Sequence, residues 1–200
     1  MPTTPVADLE PALWERATRH PFLRDVGRGR VDNFEVWLGQ DVVFVADLII
    51  FQARLVARAP RPAQRVLAAG VVGLIAELDW FDELATTSGV ALPAELLAPT
   101  RRYRELLQDL DQQPYAHAVA ALWLIERVYL EGWRYAASCG AGGPYAAALA
   151  HWTDPDFARY VAALEELTQD PRHGGTAPAA LLRQVLQAEA AFWDMTGSGR

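Results

Sequence analysis

Three carboxylates stand where a helical chain would have to bury them. Asp41 lies midway along Trp37-Leu38-Gly39-Gln40-Asp41-Val42-Val43-Phe44-Val45. Phe44 three residues on and Leu48 seven on share its helical face. Glu126 lies in Trp123-Leu124-Ile125-Glu126-Arg127-Val128-Tyr129, with an aromatic residue one turn to either side. Glu189 precedes Phe192 by three residues and Trp193 by four. A buried carboxylate is costly unless it is paired, hydrogen-bonded or protonated. Converging from separate helices, these residues would make a carboxylate-rich, aromatic-lined pocket for a flat polar ligand, with Trp123 and Tyr129 beside Glu126. Each also has an ordinary reading: Asp41 at a face boundary reaching water or an arginine, Glu126 paired with Arg127 or another cation, Glu189 facing solvent. Asp47 is a weaker case of the same kind.

Other chemistries find less support. The four histidines, His20, His117, His151 and His173, form no i, i+4 pair with a companion glutamate, so no zinc-protease motif is present. No helix carries the Glu-x-x-His pair of a di-iron carboxylate site, and no metal is expected. Gly140, Gly142 and Gly143 follow a helix rather than a strand, unlike a phosphate-cradling loop. Cys139, the single cysteine, has no base placed beside it by the sequence.

The elements that must position the carboxylates read as helices almost throughout. A first helix around Asp8 to Arg19 carries Leu9, Leu13 and Ala17 on one side. Segment 31–57 follows, with Asp32 or Asn33 to cap it, and then 63–86, ending at Thr86-Thr87-Ser88-Gly89. Pro93 opens a further helix ending near Pro99, and Thr100 caps another through Leu110. Pro114 starts 115–138, Thr153 or Asp154 caps 154–169, and a last helix runs to about Met195. Short connections make sequential helices antiparallel neighbours. With no repeat or long linker, residues 1–200 are expected to form one all-α, single-domain helical bundle.

Composition bounds the partners. Apolar residues make up 52% of the 200, charged residues 22%, and the net charge is −7 with no basic block. A nucleic-acid partner normally needs a basic stripe, so none is expected. The most apolar run, Val42 to Phe51, is broken by Asp47 and too short to span a bilayer. The N-terminus lacks the basic and apolar regions of a secretory signal. A cytoplasmic protein without a membrane partner is expected.

Five motifs in register resemble the TenA-like family from Trp14 to Met195. They are His20-Pro21-Phe22 with Gly29, Phe34, Trp37-Leu38 and Gln40-Asp41; Glu77-Leu78-Asp79-Trp80-Phe81; Tyr103; Trp123-Leu124-Ile125-Glu126-Arg127-Val128-Tyr129; and Glu189-Ala190-Ala191-Phe192-Trp193-Asp194-Met195. The resemblance implies the haem-oxygenase-like fold, a homodimer or homotetramer, and a pocket enclosed by the bundle. The thiaminase II branch carries a nucleophilic cysteine after a proline in the helix matching 115–138, whereas this chain reads Leu124-Ile125-Glu126 there. It is similar instead to the cysteine-less, glutamate-bearing branch, associated with hydrolysing aminomethyl- or formylaminomethyl-pyrimidines to the hydroxymethyl compound in thiamin salvage, with no cofactor. Residue by residue, the resemblance makes Asp41 the binder of the pyrimidine's amine and adjacent ring nitrogen, Glu189 the C-terminal catalytic glutamate and Glu126 the branch-specific one. Phe44, Tyr103 and Trp152 fall at pocket-lining positions. Alternatives are a thiaminase using Cys139, a non-catalytic pyrimidine-binding or regulatory protein, and a binder of a quinone precursor or of haem, the latter with His20 as ligand.

Overall fold

Prolines sit in the first turn of several helices, where a missing N–H costs no hydrogen bond. The computed structural model describes residues 10–88, 95–175 and 177–196. Its α-helices are α1 (Pro11–Thr18), α2 (Pro21–Gly27), α3 (Phe34–Arg58), α4 (Arg61–Ser88), α5 (Ala98–Asp111), α6 (Tyr115–Cys139), α7 (Ala146–Trp152), α8 (Pro155–Gln169) and α9 (Ala179–Trp193). Single 3-10 turns follow at Gly143–Tyr145 and Asp194–Thr196. No strand occurs among the described residues, and the architecture is all-α. None of these helices is long and apolar enough to cross a membrane.

The long helices match the predicted segments, while the differences are local and physical. Helices α2 and α7 are too short to show a periodicity of their own. Asn33 occupies the N-cap of α3 in a left-handed conformation (φ 62°), and its side chain makes no capping bond. The helix expected between Pro93 and Pro99 falls partly on residues 89–94, outside the described residues, as does Leu9 of the first helix. Its remainder, 95–97, is not helical. There Gln40 takes hold of the backbone, donating to the carbonyl of Glu95 at 2.7 Å and accepting from the N–H of Leu97 at 3.0 Å. Thr100 does not cap α5. Its hydroxyl donates to Gln40 Oε1 at 2.5 Å instead. Asp154 does cap α8, accepting from the N–H of Asp156 at 2.7 Å.

Packing places α6 at the centre, against α2, α8, α9 and α1. Helices α3 and α4, joined through Ala59-Pro60, lie together, with α5 against α3. Helix α9 closes the bundle on α1, α5 and α6. A slab of indoles runs through the middle. Trp37 stacks on Trp193 (5.6 Å, 22°) and meets Trp133 and Trp152 edge-on, each at 5.5 Å. Trp133 and Trp152 stack at 4.1 Å. Such pairs contribute about 1 kcal/mol each beyond area burial. Trp193 also donates its indole N–H to the carbonyl of Ala17 at 2.8 Å, tying α9 to α1.

Gly27 permits the close approach of α2 to α6. A Cβ there would lie 2.0 Å from the carbonyl oxygen of Ala136, a backbone atom that cannot step aside. Gly27→Ala is therefore expected to destabilise the fold by about 2 kcal/mol or more, read as a lowered urea midpoint with an unchanged m value.

Candidate functional site

The apolar stripe of α3 carries Asp41 inward with Phe44 and Leu48, and all three are buried. The same logic on α6 and α9 buries Glu126 at 5% exposure and Glu189 at 2%. Helix α4 supplies a fourth carboxylate, Glu77, which lines a cavity of about 650 Å³ with Glu126, Phe44, Tyr129, Trp152 and Tyr160. That volume suits a small-molecule ligand. Asp41 and Glu189 lie one layer behind the wall. The hydroxyl of Tyr129 donates to Asp41 Oδ2 at 2.8 Å, and that of Tyr103 donates to Glu189 Oε1. Trp152 donates its indole N–H to Glu77 Oε1 at 2.7 Å. Asp41 Oδ1 and Glu126 Oε1 are buried with no hydrogen-bond partner.

The ordinary readings of the three carboxylates thus fail. Arg127 turns to Glu131 and Glu165, at 3.3 and 3.8 Å, not to Glu126. Asp41 reaches neither water nor an arginine, and Glu189 does not face solvent. For Asp47 the ordinary reading holds: Arg104 binds it at 2.7 Å.

Among the described residues, no cation hydrogen-bonds or ion-pairs with any of the four carboxylates. Burial disfavours their charged forms, and Glu77 and Glu189 add repulsion at Asp41 and Glu126. Desolvation is the largest cause in every case. It pushes Glu126 from 4.5 to about 8, with Glu77 and Glu189 adding repulsion. It pushes Glu189 from 4.5 to about 8 against the opposing hydrogen bond from Tyr103, and Glu77 from 4.5 to about 7 against that from Trp152. Asp41 is held well above the usual carboxylate range by burial and by the charges of Glu77 and Glu189, in spite of Tyr129. Desolvation thus favours retention of protons in the cluster towards neutral pH. No group of three His, Cys, Asp or Glu side chains among the described residues is placed to hold a metal ion.

The sequence matches the TENA/THI-4/PQQC family over residues 8–198. The chain belongs to that family. It is 26% identical to a Glycine max protein described as a probable bifunctional TENA-E protein, over 92% of this chain and 88% of that one. The solved structure of a TenA homologue from Pyrococcus furiosus superposes with a TM-score of 0.89 at 24% identity, covering 96% and 97% of the two chains. A TenA family transcription regulator from a Silicibacter species superposes at 0.83 with 17% identity, covering 96% and 94%. These likenesses agree with the haem-oxygenase-like helical fold implied by the motifs.

Most family-matched positions meet around the cavity: Phe44, Glu126, Tyr129 and Trp152 on its wall, Asp41, Tyr103 and Glu189 behind it. Trp123 does not line it, although it lies one turn before Glu126. Trp152 offers the cavity less than two free faces, because Trp133 covers one of them. Cys139, at the far end of α6 beside Gly27, is not on the wall either. His20 has both ring nitrogens engaged. Its Nδ1 accepts from the N–H of Phe22 at 3.1 Å, leaving Nε2–H to donate to Asp194 at 2.9 Å, so it caps α2 and is no free haem ligand. Sequence reasoning missed Glu77 and Tyr160 as site residues, though Glu77 opened one of the family motifs.

An acid whose folded pKa lies above its unfolded value favours folding at low pH and loses that contribution as pH rises through the folded value. For Glu126 and Glu189 the window runs from 4.5 to about 8. The ligand-free protein is expected to melt at lower temperature at pH 8.5 than at pH 5.5. Glu126→Gln and Glu189→Gln, neutral throughout, should flatten that slope in differential scanning calorimetry.

Proposed function

We propose that the protein hydrolyses 4-amino-5-aminomethyl-pyrimidines, or their N-formyl derivatives, to the hydroxymethyl compound. The observation that carries this reading is a group of four neighbouring carboxyls, Glu77 and Glu126 on the wall of one small-molecule cavity and Asp41 and Glu189 buried behind it, with no cation among them and two oxygens left without partners. Such a cluster suits a ring that brings its own amines and protons. Family membership supports a thiamin-related role, and the position of Cys139 away from the cavity weighs against thiaminase chemistry.

Phe44 and the open side of Trp152 take the faces of the ring. Asp41 accepts from the 4-amino group and from the protonated ring nitrogen next to it, a charge-assisted pair. Because Asp41 stands behind the wall, binding requires a side-chain movement at the cavity floor, with Tyr129 giving up its bond to Oδ2. Water then adds its oxygen to the exocyclic methylene as the C–N bond breaks. One glutamate of the Glu126–Glu189 pair takes a proton from the water, and the other protonates the departing nitrogen, which leaves the free amine as ammonia; an N-formyl substrate first loses its formyl group to give that amine. Carboxyls poised near neutrality can serve in either role.

Incubation with the aminomethyl-pyrimidine is expected to give the hydroxymethyl product, followed by chromatography. Glu126→Gln and Glu189→Gln should each lower kcat about 100-fold or more, whereas Cys139→Ala should leave it unchanged. Turnover of both glutamine variants at the wild-type rate would overturn the assignment.

The homo-oligomer that the resemblance implies is proposed to form through α3 and α4, where Ile50, Val72 and Ile75 are exposed at 53%, 66% and 48%. Sedimentation should find a dimer or tetramer, and Val72→Glu with Ile75→Glu should shift it to monomer.

A further inference from the structure

Tyr160 lines the cavity from α8, yet the reaction above gives it no task. Its hydroxyl is held by Gln52 of α3, whose Nε2 donates to it at 2.8 Å and to the carbonyl of Leu67 at 2.7 Å. The orientation of that amide is dictated by its neighbours. Turned over, Gln52 would set its own carbonyl oxygen against that of Leu67. Both amide hydrogens are therefore spent, and Tyr160 receives one of them as an acceptor.

A phenol carries a single proton, and among the described residues nothing accepts the one on Tyr160. Burial raises its pKa well above the ordinary value, so the proton stays on. Glu126, which also lines the cavity, has an equally unspent Oε1 on a side chain only 5% exposed. Two residues of the wall thus carry a free donor and a free acceptor that do not bond each other, the acceptor buried beneath the wall's surface. Gly70 makes room for the arrangement: a Cβ there would lie 2.1 Å from Gln52 Nε2 and 2.2 Å from the Tyr160 hydroxyl.

A free ammonium brings donors only. It would satisfy Glu126 and leave the hydroxyl proton of Tyr160 facing a cation. An N-acyl amine brings an N–H and a carbonyl side by side, matching acceptor and donor together. We propose that Tyr160, with its hydrogen bond directed by Gln52, selects the N-formyl aminomethyl ring over the free amine; this rests on the reading that the cavity takes aminomethyl-pyrimidines.

In the hydrolysis of the formamide, the oxygen of water bonds to the formyl carbon and the C=O π pair moves onto the oxygen held by Tyr160. Collapse of that adduct restores the carbonyl and breaks the C–N bond. The departing nitrogen takes the proton that the water gave up, leaving formic acid and the free amine. Tyr160 keeps its proton throughout and stabilises the charge that develops on oxygen.

The test is the ratio of kcat/KM for the N-formyl substrate to that for the free amine. Tyr160→Phe is expected to lower this ratio about tenfold or more. Gln52→Glu separates position from presence. As a neutral acid of nearly the same shape, it places one hydroxyl oxygen where Nε2 stood, which donates its proton to Leu67 and accepts from Tyr160, spending the tyrosine's proton. Its ratio should fall as well, with Tyr160 still in place. Should Gln52→Glu fail to fold by circular dichroism, Tyr160→Phe decides the matter alone. An unchanged ratio in Tyr160→Phe, or an equal loss on both substrates, overturns this inference and leaves the proposed function standing. A wild-type protein inert on both substrates overturns the proposed function, and the selection by Tyr160 with it.

Discussion

Like charges without a counter-ion are the constraint around which this molecule is organised. Four carboxyl groups lie close together, two on the cavity wall and two behind it, and their hydrogen-bond donors are neutral: two phenols and one indole. A guanidinium in the same place would have pulled the carboxyls down and locked them as anions. Phenols and indoles satisfy individual lone pairs while leaving the desolvation cost largely in force, so protons are retained. The arginines nearby are occupied elsewhere, Arg127 with Glu131 and Glu165, Arg104 with Asp47. The cluster is thus kept short of positive charge, a condition under which a carboxyl can act as an acid near neutral pH.

Holding such a cluster needs a rigid surround, and the indole slab supplies it. Trp133 and Trp152 stack, Trp37 and Trp193 stack, and the two pairs meet edge to face. Their polar edges are put to use as well: Trp152 holds Glu77 and Trp193 holds α1. Gln40, next to Asp41 in the chain, turns its amide the other way to fix the entry to α5, from which Tyr103 reaches Glu189. One turn of α3 therefore serves the cluster on one side and its support on the other.

How much of this could be read from the sequence varies by residue, for physical reasons. Asp41, Glu126 and Glu189 stood out because each interrupts an otherwise apolar helical face, where desolvation forces an explanation. Glu77 did not. It shares its stretch with Asp79, Asp82 and Glu83, the composition of a solvated face. Only the packing of Trp152 against it reveals its role. Trp123 shows the opposite failure. Three residues from Glu126 is near enough on a helix to suggest a shared wall, but the curvature of the helix surface turns its ring off the cavity. Tyr160 and Gln52 lie 108 residues apart, and no local pattern announces their bond. The long helices were legible from periodicity and from proline, whereas α2 and α7, of seven residues each, were not. Thr100 had the right residue type for a cap, but Gln40 offered its hydroxyl a better partner than the helix end.

The clasp between the two extremes of the bundle has a kinetic meaning. Arg183 reaches Glu10, Asp194 accepts from His20, and Trp193 donates to Ala17, contacts spanning 173 to 176 positions of the chain. Loop closure on that scale comes late in folding, because its entropic cost must be met before the contacts repay it. Glu189 rides on α9, one of the helices those contacts hold in place. The acid cluster is therefore complete only when both extremes have met, and a nascent chain emerging from the ribosome carries three of the four carboxyls, with the hydroxyl of Tyr103 still waiting for its acceptor.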